Sequence, residues 1–356
     1  MIKQNFPALT GIRAIAAYMV FIHHKNPFKE SYFGKSIHDF FGEFHVGVTI
    51  FFVLSGFLIC NRYYDVDFNF KEYLLKRFAR IYPLYFIVTS LTFIYYAVFW
   101  MQNSINDFNI YIFNMLFLKG FFDDIKFSGV AQGWSLTVEE MFYFLVPLFF
   151  ILIRKSKWFL IFIPITFLVF GVCLVNIFSE IDIHGFFKSY EFMFDYTFFG
   201  RVTEFFVGMA LAFFLRNNKN RNRFMYFTLI GIIGIVLNIY LLSILKIGNC
   251  DGIESLQGKV INTLILPCFG IAPLFYGLIK EKTIISKFLA SDLLVLLGKS
   301  SYAFYLIHIG IFMITLEKIK TNTFYLFVFL NLIAIFFYLY IEKPSNVYFR
   351  NRNLRK

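Results

Sequence analysis

The chain has 356 residues, 59% of them hydrophobic and 22% aromatic, with only 16% charged and a mean hydropathy of +0.66. Soluble domains carry about 25% charged residues, so composition excludes an ordinary soluble fold and points to a polytopic membrane protein. The net charge of +12 then belongs to Lys- and Arg-rich cytoplasmic loops, and no nucleic-acid partner is expected.

A bilayer admits only helices or a closed barrel, and apolar runs of about 20 residues are helix-length. The sequence predicts an all-α polytopic protein with about ten transmembrane helices, near 8–25, 45–61, 81–101, 134–153, 158–178, 197–215, 224–246, 260–279, 299–316 and 323–341. Lys and Arg set the orientation. Arg62, Lys71, Lys76, Arg77 and Arg80, then Arg154, Lys155 and Lys157, the basic run 216–223, the segment 280–287 and the tail all fall inside if both termini are cytoplasmic.

Between the second and third spans, residues 63–80 read as a cytoplasmic interfacial helix. Phe70, Tyr73, Leu74 and Phe78 supply its apolar side and Lys71, Lys76, Arg77 and Arg80 its basic side, with Pro83 turning the chain into the third span. Residues 102–133 form a long outer loop. Within it Asn109 to Phe122 is apolar but short for a span, and is expected to be interfacial or re-entrant. The stretch 286–297 is expected to lie on the membrane surface. The whole of 1–356 reads as one membrane domain, without a fused soluble domain. Cys60, Cys173, Cys250 and Cys268 show no CxxC spacing, so no disulfide and no metal site is expected.

The first span, LTGIRAIAAYMVFIHH, carries an arginine near its start and a histidine at its end. His24 lies eleven positions after Arg13, about three helical turns and roughly 16 Å, so the two share a face. Ala16, Ala17 and Val20 lie between them on that face and leave room for another body. Ionisable groups inside a span are costly and face a bundle interior or a wet cavity. His23 points elsewhere and reads as a packing or surface residue.

Taken together, these motifs resemble the acyltransferase 3 family of integral-membrane O-acyltransferases. The resemblance rests on Arg13 and His24 in the first span, GVTIFFVLSGFLI in the second, and Arg77 and Arg80 as RxxR. It rests also on WSLTVEE from Trp134 to Glu140, GKSSYAFYLIH ending at His308, and IEKP from Ile341. Thr10 and Thr49 stand where the family commonly has Asp.

The resemblance implies transfer of an acyl group, usually acetyl, from coenzyme A to a hydroxyl of a carbohydrate or glycolipid. It also implies a central histidine, His24, and arginines necessary for activity. Acetyl-CoA or another acyl-CoA is then a donor substrate, and no permanently bound cofactor is expected. Imidazole titrates near neutrality and suits a base. Arg77, Arg80 and Arg13 suit the donor's phosphates, because guanidinium binds phosphate through paired hydrogen bonds. The alternative for Arg77 and Arg80 is an ordinary basic cluster on anionic lipid. One of Glu139 and Glu140 is expected to orient His24, with Glu139 favoured. Trp134 either stacks on the acceptor sugar or anchors its helix at the interface. His308 either lines the substrate cavity or hydrogen-bonds across helices. The expected location is the plasma membrane. The rival class is a transporter or exporter of a glycan or an acylated small molecule.

Overall fold

The computed structural model describes residues 6–66, 69–99, 108–181, 183–217, 226–248, 250–318 and 322–353, with side chains to 349. Most of the basic run 216–223, the start of the long loop at 102–107 and the last three residues of the tail lie outside the described residues. Among the described residues the chain is helical, with only isolated β-bridges.

The principal helices are α1 (Pro7–Lys25), α2 (Gly47–Tyr63), α3 (Phe70–Phe99), α4 (Trp134–Lys155), α5 (Phe159–Phe178), α6 (Phe198–Asn217) and α7 (Phe227–Leu245). They continue as α8 (Leu256–Lys280), α9 (Asp292–Ile307), α10 (Ile311–Lys318) and α11 (Thr323–Phe349). Among the described residues eight helical segments are long and apolar enough to cross a membrane, or nine if α9 and α10 make one bent span. With 19 residues, about 28 Å, α1 has the length; Arg13, His23 and His24 lower its hydropathy and keep it outside that set. The protein is a multi-pass membrane protein.

The chain divides into two compact units. The first comprises Met1–Asp65 and Thr203–Ser301, the second Val66–Val202 and Tyr302–Lys356.

In the first unit, glycines let backbones meet. A Cβ at Gly56 of α2 would lie 2.0 Å from the Phe205 carbonyl oxygen, and one at Gly208 of α6 would lie 2.0 Å from that of Val53. This reciprocal small-residue contact is how apolar helices pack where water gives no driving force. Gly47 likewise sits on α1, where a Cβ would meet the Ala16 carbonyl oxygen at 2.3 Å. Ala16, Ala17 and Val20 are all buried. The small-residue face of α1, expected to leave room for another body, is thus occupied at Ala16 by the backbone of α2. In α8 the stretch Ile261–Ile271 is wound as a π-helix around Pro267, and buried Asn262 accepts a hydrogen bond from Thr49 Oγ1 at 2.9 Å.

In the second unit, α3 departs from the expected course. Instead of a surface helix that turns at Pro83, it runs unbroken for 30 residues with Pro83 inside it. Proline leaves the carbonyl four residues earlier without its amide donor. That carbonyl belongs to Ala79, and the Ser345 hydroxyl donates to it at 3.2 Å. Tyr302 Oη donates to the Ile81 carbonyl at 2.8 Å. The Ser345 hydroxyl stands in for the missing donor, and Tyr302 adds a second tether to the same turn of the helix.

The segment after α3 behaves as its length requires. Phe108–Met115 is an eight-residue helix, about 12 Å long, and Phe117 at φ 56° ends the run. It is too short to cross. The expected straight span 299–316 is instead broken: α9 ends at Ile307, Gly310 takes φ 89°, and α10 leaves at 83°. The expected surface stretch 286–297 is also divided. Ile284–Leu289 forms one short helix, and Asp292 already begins α9.

Candidate functional site

Within the first unit, α1 carries Arg13 and His24 on one unbroken helix, with Arg13 half-buried and His24 exposed. The basic residues His23, His24 and Lys25 occupy its last turn, where the helix dipole favours positive charge. His23 is more than a packing residue. Its Nδ1–H donates to the Gly42 carbonyl, which leaves Nε2 as the acceptor of the neutral ring. Its ring lies edge-on to His24 at 4.6 Å and to His45 at 5.4 Å between centroids.

His45 Nε2 lies 2.9 Å from Glu43 Oε2. Glu43 is fully buried, and its Oε1 accepts from the Gly252 amide at 2.7 Å. Thus a carboxylate, His45, His23 and His24 follow one another inside this unit. Glu43 and His45 escaped sequence reasoning because they sit in a short polar run, EFHV, that reads as loop. The only available signal was two ionisable residues abutting an apolar span.

In the second unit, Arg77 is 9% exposed and Arg80 half-buried. The Arg77 guanidinium lies 5.9 Å from the Tyr73 ring centroid and 5.5 Å from that of Tyr143, within cation–π range. Tyr143 Oη donates to Glu139, and Arg77 acts electrostatically on Glu140. The structure therefore gathers buried Arg77 and Tyr143 with half-buried Glu139 and Glu140 into one cluster. The expectation of an exposed Arg77 on a surface helix is corrected. With α3 continuing through Pro83, Arg77 packs against Tyr143 of α4.

Trp134 opens α4 half-buried, its ring edge-on to Tyr196 at 4.9 Å. His308 is fully buried at the break between α9 and α10, with Nδ1 donating to the Tyr305 carbonyl at 2.8 Å. Gln132, two residues before Trp134, joins these regions. Its side-chain amide donates to the Tyr305 and Leu306 carbonyls at 2.7 and 2.8 Å, which lie at the end of α9 where helical donors run out. Ser135 Oγ and Tyr305 Oη lie 2.9 Å apart.

Beneath the loop that leads into α4, Lys119 is fully buried and donates to the Ser128 and Val130 carbonyls at 2.6 and 2.5 Å. Burial pushes its ammonium down to about 7, because a charge without water is disfavoured. Among the described residues no group of His, Cys, Asp and Glu has the arrangement of a metal site.

Many apolar spans, with arginine, glutamate and histidine buried among them, define a helical membrane protein that carries polar chemistry inside the bilayer. The family model described as "Acyltransferase domain" matches residues 6–342. The chain belongs to this acyltransferase family. It is 25% identical over 333 residues to the "Putative O-acetyltransferase" of Staphylococcus aureus (strain COL), covering 86% of this chain and 51% of that protein. It is 28% identical over 169 residues to "Peptidoglycan O-acetyltransferase OatA" of Listeria monocytogenes, covering 43% of this chain and 25% of that protein. The chain thus spans about half the length, or less, of these curated relatives. No solved structure matches it.

Proposed function

We propose that the protein is a membrane O-acyltransferase that moves an acyl group, in the first instance acetyl, from acyl-CoA to a hydroxyl of a cell-surface or lipid-linked carbohydrate. The observation that carries this reading is the family match over residues 6–342, joined to Arg13 and His24 on one unbroken helix. The names of the relatives support acetyl as the group and a glycan as the acceptor.

In this reading His24 takes the proton of the acceptor hydroxyl while the oxygen attacks the thioester carbonyl. The carbon–sulfur bond breaks, the coenzyme A thiolate leaves, and the proton passes from His24 to that thiolate. General-base action of this kind contributes about 10² to 10⁴ in rate. Arg13, Arg77 and Arg80 serve the donor's phosphates, Glu139 assists the proton transfer, and Trp134 and His308 contact the acceptor. In this reading the chain lies in the plasma membrane with both termini cytoplasmic, the orientation that the Lys and Arg asymmetry favours. A reporter fused after Lys356 is then found inside; its appearance on the outer face would refute the orientation.

The broken α9–α10 helix favours a second reading, since transporters build substrate sites from interrupted helices. Purified protein with acetyl-CoA labelled in the acetyl group separates the two. An enzyme transfers the label to a glycan, whereas a transporter leaves the thioester intact.

A further inference from the structure

The first unit holds a cavity of about 390 Å³ that none of the roles above uses. Phe6, Pro7, Leu9, Leu278, Ile279 and Ala290 form its apolar walls, and Lys282 and Lys287 stand among its lining residues. Its size falls in the range of small-molecule sites, roughly 300–1,000 Å³, and its composition is theirs: apolar walls with a few convergent polar groups. Both lysines are exposed, and neither has a carboxylate partner among the described residues. The hydroxyl of Ser286, also in the lining, is committed to the Glu281 and Thr283 carbonyls. The free polar chemistry of the cavity is therefore cationic.

Its position singles out the occupant. One wall is the first turn of α1, and Leu9 stands one helical turn before Arg13 on the same side of that helix. We propose that this cavity receives the phosphorylated nucleoside end of the acyl donor, with Lys282 and Lys287 on phosphate and the base against Phe6 and Pro7. The inference rests on the acyl-CoA reading above and adds a subsite to it. A phosphate on a larger body could also be a phospholipid headgroup; the donor is preferred because the wall is the helix that carries Arg13 and His24.

The test uses the full chain in nanodiscs of phosphatidylcholine and desulfo-coenzyme A, which cannot react, as the calorimetric probe. Each lysine contributes a charge-assisted contact, so the Lys282→Gln/Lys287→Gln double variant should weaken binding on the order of 100-fold. Ala290→Phe fills the cavity without changing charge and should weaken binding at least about tenfold. Lys155→Gln should bind as the wild type does. If the wild type fails to bind desulfo-coenzyme A, the donor reading itself falls. If the wild type binds and the double variant binds equally well, the donor reading stands and this subsite is refuted. Native mass spectrometry with added phosphatidylglycerol covers the other source. Lipid retained by the wild type and lost from the double variant, with probe binding unchanged, would assign the cavity to a headgroup and overturn the proposal.

Discussion

His23 and His24 are neighbours in sequence, and their surroundings give opposite forecasts for replacing them. His24 is exposed, so His24→Gln should change stability by less than about 0.5 kcal/mol. Glutamine cannot act as a base near neutral pH, so acyl transfer should fall by about 10² to 10⁴. His23→Ala removes a hydrogen bond to Gly42 and ring contacts to His24 and His45. A hydrogen bond contributes about 0.5–1.5 kcal/mol and each of the two ring contacts about as much, so the loss is roughly 1.5–4.5 kcal/mol. Its transfer rate should fall less than that of His24→Gln. The assay pairs label transfer from acetyl-CoA with thermal unfolding of the same purified samples in detergent. Near-full transfer by His24→Gln would refute the base role. A drop in Tm as large for His24→Gln as for His23→Ala would refute the division of labour.

Arg77→Ala should destabilise by about 1–3 kcal/mol, since it removes the cation beside two half-buried carboxylates. Arg80→Ala, at a half-buried position, should instead raise the acyl-CoA KM about tenfold with Tm nearly unchanged; calorimetry and donor titrations separate the two. Gly56→Val drives a methyl-bearing Cβ into the Phe205 carbonyl and should cost at least about 1–3 kcal/mol, read as lower yield of folded protein in detergent. For Lys119 the folded value near 7 lies below the unfolded value of about 10.4. Between those values the unfolded chain binds more protons, so stability rises with pH. The Tm of the wild type relative to Lys119→Met should therefore climb from pH 7 to 10, and a flat difference would refute the burial argument.

Hydropathy placed most helix ends within a few residues because apolar length is a local property. It failed at Pro83 and at residues 308–310, where the outcome depends on distant partners. Proline normally ends a run, but Ser345 supplies the missing donor from far along the chain. A continuous apolar pattern normally makes one span, but Gln132 satisfies the carbonyls that a break at Ile307 exposes. The same blindness affected the candidate site. Spacing placed Arg13 and His24 on one face, and the apolar run Asn109–Phe122 read as short for a span, as its eight-residue helix is. It could not show that Gly47 fills the groove beside Ala16, or that Arg77 is buried against Tyr143. Nor could it show that Glu43, in a run that looks like loop, is buried beside a histidine.

The bond from Ser345 to Ala79 has a consequence for biogenesis. The two residues are 266 positions apart, and a ribosome adding about 5–20 residues per second needs roughly 13–53 s to bridge that distance. Throughout that interval the third helix sits in the translocon or the bilayer with one carbonyl unsatisfied beside its proline. The turn around its proline thus matures late, and ribosomes that stall before Ser345 release chains whose defect lies in a helix finished long before.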